Sequence, residues 1–566
     1  MKKVESKTRK ILKIILTILI ILIISGVGLY FIQPELNFKS PGSMFLLLLL
    51  IGFIAFVLSI FKHRKVVTKI VNTPFGKREI PTIDLGVQKL TKFYTILGIL
   101  FFVYILIGGL SGAHFLRAKA YASQMPIEEL ESIDFAKQVT PQSIGSSTLP
   151  IIDKDIALRK AEGKLSTYGS QYSISPSFTL IHIKQNGVEK LVRVAPLEYN
   201  GFFVAATHYN SGSVGYVMVD VVTEESQFVE VPEGIKYLEK GLLNHNLARY
   251  IWMHYPTALV TDYSFEIDDN GVPYWVATNY DNQVGLFSGQ TPIGIILVNA
   301  VTGEIEKYGI NDVPEWVDRV VPANQAMTQA TNALTYKNGW FNAVIGAKSD
   351  VFRLTEEYNY LTLNGKTYLY SGVTSPNDAD ETSVGFMLID LKTKEARKYR
   401  IQGITEYRAM EIAQSHQSVK AQNLIPTVPI LINIEGQPTY FLTLKNNVQR
   451  QWYVLVRVSD GAIVLNQDLK NCKTEYISLL SKQGGTIVTD GLESISGKVL
   501  RVRSSQSDLL EFVFENDVDK VYMAPLSLGV DTRFLQSGDL VSVKFLPSND
   551  GTYLVRELTN QSLRGK

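Results

Sequence analysis

The chain has 566 residues, 46% of them hydrophobic, and its 56 Lys and Arg nearly balance 54 Asp and Glu, giving a net charge of +2. This length exceeds what one hydrophobic core supports, so the sequence predicts several domains. The single cysteine, Cys472, excludes an internal disulfide and a zinc cluster held by cysteines.

Three apolar runs open the chain, at 11–32, 44–61 and 93–110, and Lys13 is their one charged residue. Each is about as long as a helix must be to cross a hydrocarbon core roughly 30 Å thick. Lipid offers no partner to unpaired backbone groups, so each span is predicted to be a helix. A cleaved signal peptide is the alternative for the first run, which is too long for one and lacks a clean small-residue cleavage site. We expect residues 1–112 to form a membrane anchor with three transmembrane helices.

The distribution of Lys and Arg predicts the orientation of this anchor. Five basic residues precede the first run and eight lie between the second and third, whereas the loop at 33–43 carries only Lys39. Because short cytoplasmic loops are enriched in Lys and Arg, the N-terminus and residues 62–92 are predicted to be cytoplasmic. Residues 113–566 are then extracytoplasmic, on the outer face of the cell membrane.

Charge divides the chain in the same way. Residues 1–112 hold 15 Lys and Arg and 4 Asp and Glu, which leaves 41 and 50 for the remainder. The basic residues thus lie beside the membrane, where orientation and anionic lipid explain them. A nucleic-acid-binding protein would carry them on its folded domain. The sequence therefore predicts the lipid bilayer as a partner and no nucleic acid.

A fourfold repeat is predicted after residue 150. Segments 214–225, 293–304, 384–395 and 451–462 align as apolar, β-branched runs that end in a turn. Each is preceded by a hairpin turn, at Asn186-Gly187, Asn270-Gly271, Asn364-Gly365 and Glu435-Gly436, and by a helical stretch, at 154–165, 244–254, 324–334 and 405–415. Periods this long are typical of a duplicated module. The predicted units are 151–235, 236–320, 321–403 and 404–483, after a linker at 113–150.

The turn that ends each segment resembles that of the PepSY-type domain. Residues 299–304 read Asn-Ala-Val-Thr-Gly-Glu, while Asp220 and Asp390 begin similar turns without the Gly, and Arg457 replaces the acidic residue in the fourth copy. The resemblance implies a helix packed on a small antiparallel sheet, no catalysis, and a link to regulation of secreted peptidases or to the cell envelope. The whole layout is similar to that of envelope proteins from Gram-positive-type bacteria. The residues themselves favour a structural turn, and a repeated contact with an anion or peptide is the alternative.

The last segment, 488–566, follows a break at Gly484-Gly485 and shows five short strands separated by turns. This pattern predicts a small β-barrel of OB or SH3-like type. Residues 491–566 hold 9 Lys and Arg and 10 Asp and Glu, which offers no cationic track for nucleic acid. A glycan, a peptide or a neighbouring domain is the expected contact, and a structural cap is the alternative.

No catalytic, cofactor-binding or metal-binding motif is found, and the protein is predicted not to be an enzyme. His245 and His254 lie nine residues apart, which does not place them on one helix face as metal ligands. Asp268 to Gly271 fits a hairpin turn, because the closing Glu of a calcium loop is missing.

Aromatic residues supply the candidate binding surface. Alternate positions of a strand point to opposite faces, so paired aromatics place one ring outward. The candidates are Tyr274, Trp275, Trp452, Tyr522 and Phe545. Cross-strand pairs that stabilise the sheets are the alternative.

These observations predict an α+β protein with three N-terminal transmembrane helices, tandem helix-on-antiparallel-sheet repeats and a C-terminal small barrel. The expected function is a membrane-anchored extracytoplasmic scaffold or binding protein of the cell envelope, whose partner is another envelope protein or a cell-wall glycan. One alternative is a regulator of an exported peptidase or of protein secretion, and another is a transporter or enzyme subunit. Transport is disfavoured because the spans hold no Asp, Glu or His.

Overall fold

The chain folds as a mixed α+β protein with a five-stranded barrel, in agreement with the sequence. The computed structural model describes residues 7–63, 65–73, 76–84, 87–132, 134–135, 150–165, 168–185, 187–363, 365–376, 382–446, 449–482, 492–504, 509–545 and 551–565.

Long helices form the N-terminal region, at Lys7–Ile32, Pro41–His63 and Val87–Ser111. Two of them contain segments long and apolar enough to cross a membrane, Pro41–Ser59 and Thr91–Ser111. The first predicted span lies in the first helix, where the described residues contribute the shorter apolar stretch Leu19–Ile32. An anchor of three spans therefore stays a prediction.

A β-hairpin connects the second and third helices, which the sequence analysis treated as a loop. Strands Lys65–Thr73 and Gly76–Asp84 pair antiparallel along their whole length. The first strand is rich in Val, Ile and Thr, which favour extended backbone.

Four sheets follow, and within each the consecutive strands pair antiparallel in chain order. Sheet 1 contains Tyr172–Ile174, Thr179–Gln185, Val188–Tyr199, Ser213–Asp220 and Ser226–Ile235; sheet 2 contains Leu259–Ile267, Pro273–Val284, Ser288–Asn299 and Ile305–Gly309. Sheet 3 contains Arg353–Leu354, Asn359–Leu363, Lys366–Thr374, Gly385–Asp390 and Ala396–Arg400; sheet 4 contains Ile425–Pro426, Ile430–Ile434, Gln437–Lys445, Arg450–Arg457 and Ile463–Asn466. A two-stranded pair, Thr382–Ser383 with Gly403–Ile404, lies beside them.

The central two long strands of each sheet, here called the inner strands, form its longest hairpin. The second inner strands are Ser213–Asp220, Ser288–Asn299, Gly385–Asp390 and Arg450–Arg457. The four segments aligned in the sequence contain these strands or their C-terminal parts, and each ends in the turn that follows. Membership of the units in the PepSY type stays a prediction.

A helix precedes each sheet, and the four are Lys154–Glu162, Leu247–His254, Ala323–Thr335 and Glu406–Ser415. Three begin at a side chain that accepts a hydrogen bond from a backbone N–H of the first turn: Asp153, Asn246 and Thr405. Such caps satisfy backbone donors that the helix itself leaves unpaired. Shorter or later helices are Phe202–Thr207, Trp340–Val344, Gln417–Lys420, Leu469–Lys482, Val530–Arg533 and Gln561–Arg564.

The turn after the second inner strand has the same hydrogen bonds in three sheets. Asp390 Oδ1 accepts from the N–H groups of Lys392 at 2.8 Å and Thr393 at 3.0 Å. Asp220 and Asn299 make the corresponding bonds in sheets 1 and 2. These side chains have the structural geometry that the residue types favour. In sheet 4 the side chain of Arg457 instead pairs with Asp460.

The hydrophobic cores join neighbouring units, so the units do not simply extend outward one after another. One core combines residues of sheets 1 and 2, a second those of sheets 2 and 3, and a third those of sheets 3 and 4. Sheet 4 also returns to the first unit, because Lys445 Nζ lies 3.0 Å from Asp155 Oδ2 and also pairs with Asp153.

The predicted linker at 113–150 is largely packed where it is described. His114–Ala122 is helical, and Ile127–Glu131 forms a parallel edge strand on Ala396–Arg400. Phe135 is fully buried in the core of sheets 3 and 4. The sequence did not reveal this because the pairing joins strands about 270 residues apart.

The terminal barrel closes from Glu493–Ser504, Leu509–Phe514, Asp517–Pro525, Leu540–Phe545 and Thr552–Asn560. Its first strand pairs with the second and fourth, and its third pairs parallel to its fifth. The barrel also packs on sheet 4, where Arg556 Nη2 lies 2.7 Å from Glu435 Oε2. The predicted break at Gly484-Gly485 lies outside the described residues.

Candidate functional site: a cavity between the units

A cavity of about 340 Å³ lies where the first, third and fourth units meet. Its polar lining comes from Arg193 on a strand of sheet 1, from residues 356–360 before and within sheet 3, and from Thr427 and Thr443 of the fourth unit. Its apolar floor is supplied by Leu180, Ile430, Phe441 and Leu442. A concave site with an apolar floor and a few polar groups is typical of ligand binding.

Arg193 is the main charged group of this cavity. Its Nη1 donates to the carbonyl of Phe178 at 3.2 Å, while its buried Nε–H has no hydrogen-bond partner in the described structure. No carboxylate of the described residues lies within ion-pair distance of it. Burial, and next the charge of Arg319, lower the pKa of Arg193 to about 10. The cavity wall therefore carries a guanidinium with an unused donor, which suits an anionic or carbonyl group.

Aromatic and amide groups flank Arg193. The rings of Tyr358 and Tyr360 meet edge to face at 5.9 Å. Tyr360 also receives the guanidinium of Arg319, whose carbon lies 4.8 Å from the ring centroid and whose Nη2 donates to the hydroxyl. Asn359 Nδ2 donates to the carbonyl of Val428 at 3.0 Å, which joins sheet 3 to the fourth unit. This wall is held in place by contacts among three units.

Two carboxyl groups lie near Arg319, at the junction of sheets 1 and 2. Glu266 is fully buried and accepts from Ser264 Oγ at 2.9 Å and from the N–H of Asp318 at 2.9 Å. Asp318 accepts from the N–H of His182. Burial raises the pKa of Glu266 to about 7, and burial together with Glu266 raises that of Asp318 to about 8. These two groups have a pH-dependent charge near neutrality.

Ion pairs close the outer side of the cavity. Asp153, a lining residue, pairs with Lys445 of sheet 4. Glu224 bridges Lys160 at 2.8 Å and Arg450 at 3.3 Å, and so joins the first unit to sheet 4 a second time. These contacts hold the first and fourth units at a fixed separation across the cavity.

The five aromatic residues predicted as a binding surface do not line this cavity. Trp275 is fully buried and donates its Nε1–H to the carbonyl of Tyr237 at 2.8 Å, so its assignment to a surface was wrong. Tyr522 and Phe545 were also wrongly placed, since both are buried in the barrel core and their rings lie 5.2 Å apart. Barrel closure turns these side chains inward.

Tyr274 and Trp452 are half-buried and pack against their own units. The ring of Tyr274 lies 4.9 Å from that of Trp316, and Trp452 packs on the core of sheet 4. The sequence analysis missed Arg193, although a signal was present. It is a single cation within the apolar run from Leu191 to Ala195.

The described residues give no group of three or more His, Cys, Asp or Glu that could hold a metal ion. Cys472 is buried, and burial raises the pKa of its thiol to about 12. A thiol with so little thiolate is a poor nucleophile. The cavity therefore has groups suited to binding.

No protein-family model matches this sequence, and no curated protein matches it. Among solved structures, a crystal structure of an ACO/RPE65 chimera is similar at 11% identity over 66% of this chain and 59% of that chain, with a TM-score of 0.13. This chain thus spans less than two thirds of that protein's length.

Proposed function

We propose that this protein is a membrane-anchored, extracytoplasmic binding protein of the cell envelope, and that the cavity between its units holds the ligand. The observation that carries the proposal is the unused, buried Nε–H of Arg193 at the wall of that cavity. A buried donor without a partner costs about 1–3 kcal/mol, and an acceptor on a ligand would remove that cost. The ligand class is a peptide or glycan that carries a carboxylate or carbonyl group.

The strand order of the terminal barrel supports a binding or docking role. We interpret the order, with the third and fifth strands parallel, as the OB type. Its packing on sheet 4 through Arg556 and Glu435 favours a neighbouring domain as its partner. The PepSY-like turns favour the same envelope context.

The contacts of the N-terminal helices support the proposed orientation. The loop after the first helix bonds to the second unit, as Trp252 Nε1 donates to the carbonyl of Pro34 at 2.8 Å. The end of the third helix does the same, since the N–H of Leu286 donates to Ser111 Oγ at 2.9 Å. Residues 33–43 and 111 thus lie on the side of the sheets, and the basic 62–92 segment lies at the other end of the second and third helices. With the positive-inside rule, this favours an extracytoplasmic position for the sheets.

Cysteine labelling in intact cells tests the orientation, and buried Cys472 contributes little background. We expect Gln414→Cys, on an exposed helix surface, to react with an impermeant maleimide, and Thr73→Cys to react only after permeabilisation. The reverse pattern would place the sheets in the cytoplasm.

Photo-crosslinking tests the binding site. A benzophenone amino acid at Tyr358, which lines the cavity, should capture an envelope component in intact cells, and Arg193→Met should abolish that capture. The same probe at exposed Glu225 is the matched control. Capture of an exported peptidase would support the regulator instead. Identical capture by the parent protein and by the Arg193→Met variant would show that the cavity does not select the ligand.

A further inference from the structure

Two short helices of this protein repeat the same local sequence and present aromatic rings to the outside. Residues 200–205 read Asn-Gly-Phe-Phe-Val-Ala, and residues 338–343 read Asn-Gly-Trp-Phe-Asn-Ala. In both, the Gly has a positive φ, 103° at Gly201 and 86° at Gly339, and the helix begins immediately after it. In both, the Ala that follows is buried.

The second aromatic of each helix is almost bare. Phe203 is 82% exposed and Phe341 is 71% exposed, and Phe202 and Ile345 beside them are also exposed. Clustered apolar side chains of this kind mark an interaction surface, because water solvates them poorly. The shared Gly-aromatic-aromatic turn projects them in the same way from two different units.

The helix Phe202–Thr207 lies near the end of the first N-terminal helix. The ring of Tyr209, two residues after the helix, stacks on His245 at 4.3 Å. The adjacent Asn244 accepts a hydrogen bond from Tyr30 Oη at 2.7 Å. Tyr30 lies two residues before the first helix ends.

The corresponding connection of sheet 2 touches a candidate span directly. Both connections join the inner strands of their sheet, and in sheet 2 Phe287 lies there. Its ring is 5.0 Å from that of Tyr104 in the third helix. The equivalent end of sheet 1 therefore faces the same level of the anchor.

The helix Trp340–Val344 lies near the end of the third N-terminal helix. The rings of Trp340 and Phe115 are 6.3 Å apart, and Phe115 lies four residues after Ser111, where that helix ends. Phe115 and Leu116 are themselves exposed. The apolar surface is thus continuous with the segment that leaves the third helix.

We propose that Phe202, Phe203, Phe341 and Ile345 insert into the outer interface of the bilayer and seat the folded domain on the membrane. The occupant is lipid, because the surface continues from the ends of the helices that the proposed function places in the membrane, and aromatic rings favour that interface. The inference rests on that membrane location. It adds that sheets 1 and 3 contact lipid themselves and do not stand away from it.

Site-directed spin labelling of the full chain in phosphatidylcholine–phosphatidylglycerol vesicles tests this. Nitroxides are placed by Phe203→Cys and Phe341→Cys in a Cys472→Ala background, and accessibility to oxygen is compared with accessibility to a water-soluble nickel complex. Glu225→Cys is the matched control, because Glu225 is exposed at the opposite end of the second inner strand of sheet 1, roughly 25 Å away. Ile99→Cys, exposed on the third helix, reports the span itself.

We expect oxygen to be favoured several-fold at positions 203, 341 and 99, and the nickel complex to be favoured at 225. If 203 and 341 resemble 225 while 99 resembles lipid, the lipid-facing surface is wrong and the membrane anchor stands. A lipid signal at only one of 203 and 341 would also overturn the shared surface. If 99 is open to the nickel complex, the membrane location itself fails.

Discussion

Lys39 Nζ lies 2.7 Å from Asp281 Oδ1, and this ion pair joins the loop between the first two helices to the inner strand of sheet 2 across 242 positions. Lys39 also donates to the carbonyl of Asn282 at 2.8 Å. Lys39 is the one basic residue of its loop, so its position is explained by this contact.

The pair should contribute modestly to the attachment of sheet 2. Asp281→Asn and Lys39→Gln should each lower stability by about 0.5–1 kcal/mol, since both side chains are partly exposed. Thermal unfolding of the purified protein in detergent measures this. The double variant should lose little more than either single variant, and full additivity would show that the two charges do not interact.

The turn at Asp390 provides a stability prediction with an internal control. Asp390→Ala removes the acceptor of two backbone N–H groups, so we expect a loss of about 1–3 kcal/mol. Asp390→Asn should be nearly neutral, because Asn299 makes the same two bonds in sheet 2. Equal losses for Ala and Asn in chemical denaturation would mean that the carboxylate charge matters more than the bonds.

The same turns predict a stabilising substitution. Lys394 has φ 67°, where the equivalent residue of sheet 2 is Gly303 at 80°. Left-handed backbone costs a residue with Cβ about 1–2 kcal/mol, partly offset by the greater chain entropy of Gly. Lys394→Gly should therefore raise the melting temperature slightly. Gly303→Ala should lower it, because the new Cβ would lie 2.2 Å from Tyr237 Oη. An unchanged Gly303→Ala variant would contradict this.

The buried carboxyl groups predict how stability depends on pH. The folded-state pKa values of Glu266 and Asp318, about 7 and about 8, lie above their ordinary values of 4.5 and 3.8. The folded protein therefore keeps protons that the unfolded chain releases. Their contribution to stability is most favourable below about pH 4 and declines as pH rises through 8.

Glu266→Gln tests this dependence because it removes one titrating group and keeps an acceptor. Its stability relative to the parent should improve between pH 5 and pH 8 by about 1–3 kcal/mol. Denaturant unfolding at several pH values measures the difference, with Glu225→Gln on the surface as the control. A difference that does not change with pH would show that Glu266 is ionised throughout.

The terminal barrel should fold alone but depend on sheet 4 for its position. It has its own core, which includes Phe512, Phe514 and Tyr522. A fragment of 488–566 should give a cooperative unfolding transition and no salt-sensitive binding to single-stranded DNA or RNA, given its balanced charge. Tight oligonucleotide binding that weakens with salt would contradict the extracytoplasmic assignment.

The sequence by itself determined the local elements, because their causes are local. Apolar length predicted the helices that contain Pro41–Ser59 and Thr91–Ser111, and repeated turn chemistry located the second inner strand of each sheet. Short strands separated by turns predicted the five strands of the barrel. Each of these depends on residues a few positions apart.

Only the tertiary structure decided which faces are covered and which distant segments meet. Every residue of Gly385–Asp390 is buried, so alternation along a strand could not identify an outward face, and Trp275, Tyr522 and Phe545 were misplaced for this reason. The cavity at Arg193 requires three units to converge. The strand Ile127–Glu131 requires a partner about 270 residues away. Such contacts depend on how surfaces pack, and no short sequence pattern contains that information.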